Sequence, residues 1–141
     1  MSHFAPTVLD DALAQALSER LADVFRTADA GEVLADDVFL DGHPPLWRFQ
    51  LQGRDAFDAW LKGFMPDGAH TTVVRVIPTV TGFVTEFTGH HKDIGEDITD
   101  RKILLAEVRA GRITELTIYC SGDWNAELRA RHAAETQLIR P

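Results

Sequence analysis

Two hydrophobic periods divide the chain. From Leu9 onward, apolar residues return every third or fourth position at Leu13, Leu17, Leu21, Val24, Phe25 and Ala28, while Asp10, Glu19, Arg20 and Asp23 take the other side. This spacing predicts an amphipathic helix near Val8 to Ala28 that stops by Gly31. Glu32 to Ala35 reads as a short helical turn before a strand around Val38-Phe39-Leu40-Asp41. Gly42-His43-Pro44-Pro45 breaks that strand, and Trp47 to Leu51 resumes it as a bent pair. Phe57, Trp60, Leu61 and Phe64 then fall at i, i+3, i+4 and i+7, which predicts a middle helix near Arg54 to Phe64. Beyond Thr71 the period changes to two. Strands are expected over Thr71 to Ile77, Phe83 to His91, Thr99 to Arg109 and Arg112 to Ser121, with Pro78 marking a bulge or an edge and Asp93 to Asp97 a turn. Asn125 to Leu138 reads as a last helix capped by Asp123.

The final strand pair decides which side chains meet the helices. If Ala110-Gly111 form a two-residue hairpin turn, Arg109 lies opposite Arg112 and pairing continues outward in step. One face then holds Arg101, Ile103, Leu105 and Glu107 beside Thr114, Leu116, Ile118 and Cys120. The other holds Lys102, Leu104, Ala106 and Val108 beside Ile113, Glu115, Thr117, Tyr119 and Ser121. The first is the more apolar at its centre and is expected against the helices. The second would leave Leu104, Val108, Ile113 and Tyr119 exposed, so a homodimer is expected to cover it, with Lys102 and Glu115 pairing across the contact. A one-residue change near the turn exchanges the two faces and makes Glu86 and Tyr119 the pocket candidates.

Composition narrows the class. The 141 residues suit one domain, 1–141, and 45% hydrophobic with 26% charged residues is ordinary globular composition. A net charge of -8 without a basic patch argues against nucleic acid and against an anionic membrane as partners. The start lacks a basic, then apolar, leader pattern, and no apolar run approaches roughly 18 residues, so a soluble cytoplasmic protein is expected. Cys120 is the sole cysteine, which leaves no intrachain disulfide.

The order helix, short helix, bent strand pair, helix and four antiparallel strands resembles the nuclear transport factor 2-like superfamily, with its SnoaL-like cyclases, ketosteroid isomerases and limonene epoxide hydrolases. Asp36-Asp37-Val38-Phe39-Leu40-Asp41 before a Pro-containing loop, Gly53-Arg54-Asp55-Ala56-Phe57 opening the middle helix, and Gly111-Arg112-Ile113 through Tyr119 in the last strand carry the resemblance. It implies an α+β fold, a cone-shaped barrel whose curved, mostly antiparallel sheet wraps around the first and middle helices. It also implies a dimer and an apolar cavity. The superfamily's known acids are not carried over: the isomerase oxyanion-stabilising acid falls at Ile103 and an epoxide hydrolase aspartate at Ile118, and isoleucine moves no proton. The isomerase base, a carboxylate directly before a proline at the end of the first strand, falls at His43 before Pro44.

His43 and Asp41 are therefore the candidate catalytic pair, since an imidazole titrates near neutrality and a carboxylate on the same face orients it. The competing reading places both on a solvated rim loop. Trp47, Phe57, Trp60, Phe64, Phe87, Ile103, Leu116, Ile118 and Cys120 are candidate pocket-lining residues, several of which serve equally well as core. Arg101 either holds an oxyanion at the pocket mouth or pairs with Asp100 or Glu107. His90 and His91 are adjacent on a strand and point to opposite faces, so no metal site and no cofactor is expected. Two functions remain open: proton transfer on a small, largely apolar carbonyl compound, and non-catalytic binding of a small apolar or aromatic ligand.

Overall fold

The computed structural model describes residues 7–140; the reading of the chain's start as lacking a leader falls partly on 1–6, outside the described residues. Helix α1 spans Asp11–Thr27. Its N-cap is Asp10, whose side chain accepts the backbone N–H of Leu13 at 3.1 Å, and Ala28 ends it in the left-handed conformation. The apolar stripe expected from the sequence is buried at Leu17, Leu21, Val24 and Phe25. No helical turn follows, because strand β1, Leu34–His43, already includes Leu34 and Ala35. Strand β2 is Phe49–Gln52, which leaves Trp47 in the loop, and helix α2 is Arg54–Phe64, the range its aromatic spacing predicts.

Strands β3 (His70–Pro78), β4 (Gly82–Asp93), β5 (Glu96–Arg109) and β6 (Arg112–Cys120) complete a six-stranded open sheet of order β2-β1-β6-β5-β4-β3. Only β1 and β6 run parallel; the other neighbours are antiparallel. Pro78 closes the edge strand β3, where its missing N–H costs no ladder bond. Helix α3, Ala126–Glu135, is capped by Asn125, which accepts Leu128 N–H at 2.9 Å, and not by Asp123. No helix among the described residues is long and apolar enough to cross a membrane.

The turn at Ala110-Gly111 forms as expected, with φ of 52° and 75° at its two residues. The pairing then slips. Val108 faces Ile113, but Glu107 faces Glu115, so Thr114 is an extra residue in β6. Such a bulge moves every later partner by one and reverses the β5 face relative to β6. Leu116 and Ile118 are inside as expected, but their β5 partners inside are Ala106 and Leu104. Ile103, expected inward, is 47% exposed on the outer face; Leu104 and Ile113, expected outside, are fully buried.

Both long helices pack on the inner face. Phe25, Phe57, Leu61, Phe83, Phe87 and Leu104 meet there in one core. Burying a side chain such as Phe57, which is wholly enclosed, contributes about 1.5–3 kcal/mol.

Candidate functional site

A cavity of about 330 Å³ opens at the end of the sheet where β1 and β6 finish. Its wall depends on what β1 omits. A Cβ on Gly42 would lie 2.5 Å from the Phe49 ring, so only glycine allows that ring to cross the strand. Phe49 then meets Trp60 at 5.3 Å between ring centroids, and Trp60 stacks on Phe64 at 5.7 Å with 7° between the planes. These aromatic residues and Ile118 make the apolar wall, while Pro44 and Pro45 border one side and Cys120 and Asp123 the other.

The carboxyl of Asp123 is the acid on this wall. It is exposed at the mouth, yet the protein on its inner side strips away enough water to raise its pKa above the ordinary 3.8. A proton on His91 would oppose this shift, as Lys102 does, while Asp100 and Asp93 add to it. Burial raises the Cys120 thiol, which makes it a weak nucleophile and a small apolar wall residue.

The expected catalytic pair does come together, with His43 Nε2 3.2 Å from an Asp41 oxygen. Asp41 pairs with Thr117 and His43 with Tyr119, so the pair shares the outer face of the sheet with those residues. The imidazole stacks on Tyr119 at 4.5 Å. Asp41 accepts two hydrogen bonds from Arg48, at 2.9 and 3.0 Å, which with His43 and Gln50 hold its carboxyl near a pKa of about 2. His43 still borders the cavity, as a rim residue.

Trp60, Phe64, Ile118 and Cys120 line the cavity as expected. Phe57, Phe87 and Leu116 are core residues beneath it, and Trp47 is 72% exposed on the loop. Arg101 and Ile103 lie on the outer face because of the bulge, and Arg101 pairs with Glu86 at 3.6 Å instead of with Asp100 or Glu107. Glu86 also meets Arg75 at 3.2 Å, so neither Glu86 nor Tyr119 enters the cavity.

The sequence offers His91 only as half of a metal pair, Lys102 as an outer-face charge and Asp100 as a partner of Arg101; the structure buries all three. The inner face of β4 carries Phe87, Gly89 and His91 opposite Lys102, Asp100 and Ile98 of β5. Lys102 also faces Cys120. Asp100 and Lys102 form a buried ion pair, with Lys102 Nζ 5.6 Å from the centroid of the Phe25 ring. Gly89 makes room for it, since a Cβ there would stand 2.5 Å from Asp100 Oδ1. The His91 ring packs 5.6 Å from Phe64, and neither of its nitrogens has a hydrogen-bond partner among the described residues. The outward neighbour His90 instead reaches Asp97 at 3.5 Å. Polar residues alternating at Asp100 and Lys102, opposite a glycine, were the available signal.

No group of three or more His, Cys, Asp or Glu side chains suited to a metal ion occurs among the described residues. No protein-family model and no curated protein sequence matches the chain. Solved structures do. An NTF-2 like protein of unknown function from Burkholderia xenovorans LB400 matches with a TM-score of 0.60 at 17% identity, over 92% of this chain and 98% of that one. An LEH-like epoxide hydrolase from M. tuberculosis matches with a TM-score of 0.62 at 18% identity, over 78% of this chain and 84% of that one. A hypothetical protein with a ketosteroid isomerase-like fold from Catenulispora acidiphila DSM 44928, in complex with trimethylamine, matches with a TM-score of 0.61 at 15% identity, over 73% and 83%. The chain therefore has the nuclear transport factor 2-like α+β cone fold. At these identities the likeness carries the architecture and no particular reaction.

Proposed function

We propose that the chain takes up a small, largely apolar compound in this cavity and transfers a proton on it, without a cofactor, using Asp123 as the acid–base group. The observation that carries this reading is a carboxyl of raised pKa on a mostly apolar wall that has His43 at its rim. Such a group holds and releases a proton nearer neutrality than an ordinary aspartate does. On a β,γ-unsaturated carbonyl compound its carboxylate would take a proton from the carbon beside the carbonyl and return it to the γ carbon while the double bond moves into conjugation, a net isomerisation in which nothing is oxidised. A second reading, binding without turnover, is favoured by the place of His43 and Asp41, whose acid–base pair lies on the outer face and at the rim.

Native mass spectrometry of the purified protein would identify a co-purified compound, whose conversion is then followed by NMR. Asp123→Asn should lower turnover roughly 10²- to 10⁴-fold while the compound still binds. Unchanged turnover in the variant rejects Asp123 as the acid–base group. Binding without conversion by the unaltered protein establishes the second reading.

We also propose that a second copy of the chain covers the outer face. Ile103, Leu105 and Tyr119 are exposed there, and Arg75 and Arg101 with Glu86 place charges of both signs around them, as a self-complementary contact requires. Light scattering that gives the mass of one chain would overturn this.

A further inference from the structure

The inner face of the sheet changes character at one row. Toward the apolar wall it presents Gly42, Ile118 and Cys120; one strand further across it presents Lys102 and Asp100, and beyond them His91. His91 is only 5% exposed, and both its ring nitrogens lack partners, as does Asp100 Oδ1, among the described residues. Buried polar atoms in native proteins are nearly always paired, and leaving one unpaired is destabilising. Phe64 ties this row to the cavity, since the same ring stacks on Trp60 in the wall and packs against His91.

We propose that His91 is the polar end of the ligand site and receives the oxygen of a neutral, otherwise apolar compound that carries a hydroxyl or carbonyl group. This rests on the cavity being a ligand site and adds the chemistry of the ligand's head. A neutral imidazole offers one N–H and one lone pair, and a hydroxyl both accepts and donates, so one oxygen satisfies either nitrogen. A carbonyl oxygen takes the N–H alone, and in the proton transfer proposed above that N–H would stabilise the charge that develops on the oxygen. The neighbouring charges set the sign of the ligand. Three acids, Asp93, Asp100 and Asp123, outnumber Lys102 and His91 in this region, so a carboxylate head is disfavoured.

Cyclohexanol, cyclohexanone, methylcyclohexane and cyclohexanecarboxylate share one apolar body and differ in the head. Their titration into the whole protein is read by NMR at the Trp60 indole and at the His91 ring nitrogens. Cyclohexanol should bind roughly tenfold more tightly than methylcyclohexane and shift a His91 nitrogen, with cyclohexanone between them and the carboxylate weakest. In His91→Phe, which keeps the shape and removes both nitrogens, the alcohol and the hydrocarbon should bind alike. Should that variant fail to fold, the nitrogen shifts in the unaltered protein decide the matter. Equal binding of alcohol and hydrocarbon, or an alcohol that leaves the His91 nitrogens unmoved, overturns the His91 assignment and leaves the cavity a ligand site. Tightest binding of the carboxylate overturns the neutral class. No response at Trp60 to any of the four overturns the cavity reading and this one with it.

Discussion

The Asp41–His43–Arg48 group on the outer face and the Asp100–Lys102–His91 group on the inner face are built from the same kinds of residue, at the same end of the sheet. They differ in what they leave unused. Asp41 accepts from Arg48, His43 and Gln50, and the His43 ring rests on Tyr119. Asp100 spends one oxygen on Lys102 and keeps the other unpaired, and His91 keeps both nitrogens unpaired. A satisfied cluster in contact with water works as a structural clamp, and its strength is modest because water competes for each partner. An unsatisfied cluster away from water is held in place by the fold and has capacity left for something that enters. Chemistry is therefore better sought in the second group, although the first has the more familiar pattern.

Removing one cation from each group tests this most severely. Lys102→Met should destabilise the protein by about 3–5 kcal/mol, because Asp100 is left as a buried, unpaired charge. Denaturant unfolding measures it, and a loss below 1 kcal/mol, on the order of a surface pair, would mean that water reaches Asp100 and that the contrast is false. The matching Arg48→Met change should cost only a small fraction of that, since Asp41 keeps His43 and Gln50 as partners and Arg48 is itself exposed.

The register supplies the next comparison. Ile118→Asp places a charge on the inner face and should cost several kcal/mol in a thermal melt. Ile103→Asp, on the outer face, should change the stability of the single chain by no more than about 0.5 kcal/mol. By light scattering, however, it should lower the mass from two chains to one. A severe loss of folding from Ile103→Asp would mean that Thr114 is not the extra residue and that the faces are reversed.

That bulge also marks the limit of what the sequence could reveal. Helix α2 was legible to its end residues because Phe57, Trp60, Leu61 and Phe64 fit one period and no other. The turn at Ala110-Gly111 was legible for the same kind of reason. The run Ile103-Leu104-Leu105 is apolar on both faces, so only the register, and not the composition, decides which of the three lies inside. One extra residue at Thr114 reversed it, and with it the places of Arg101 and Ile103. His91, Asp100 and Lys102 were illegible for a related reason. A charged residue in a strand is ordinarily an outward one, and its burial shows only when Gly89 is seen to leave the space.

The smallest expected effects separate the two groups by the sign of their response to pH. Arg48 holds the folded Asp41 near a pKa of about 2, below its ordinary 3.8. The folded state therefore binds fewer protons than the unfolded state between those values, and the stabilisation from Asp41 is present above 3.8 and lost as pH falls toward 2. Asp123 is shifted the other way, so above 3.8 the folded state binds the extra proton, and stability falls as pH rises through its raised value. Midpoints of Asp41→Asn and Asp123→Asn, each measured against the unaltered protein from pH 2 to 8, should show opposite trends. The first variant is equal to the unaltered protein at the acid limit and loses ground as pH rises. The second gains ground over the same range, because asparagine has no proton to lose at the partly desolvated mouth. Parallel trends would mean that Asp123 is as well solvated as any surface acid, and the cavity would then lose its acid–base group.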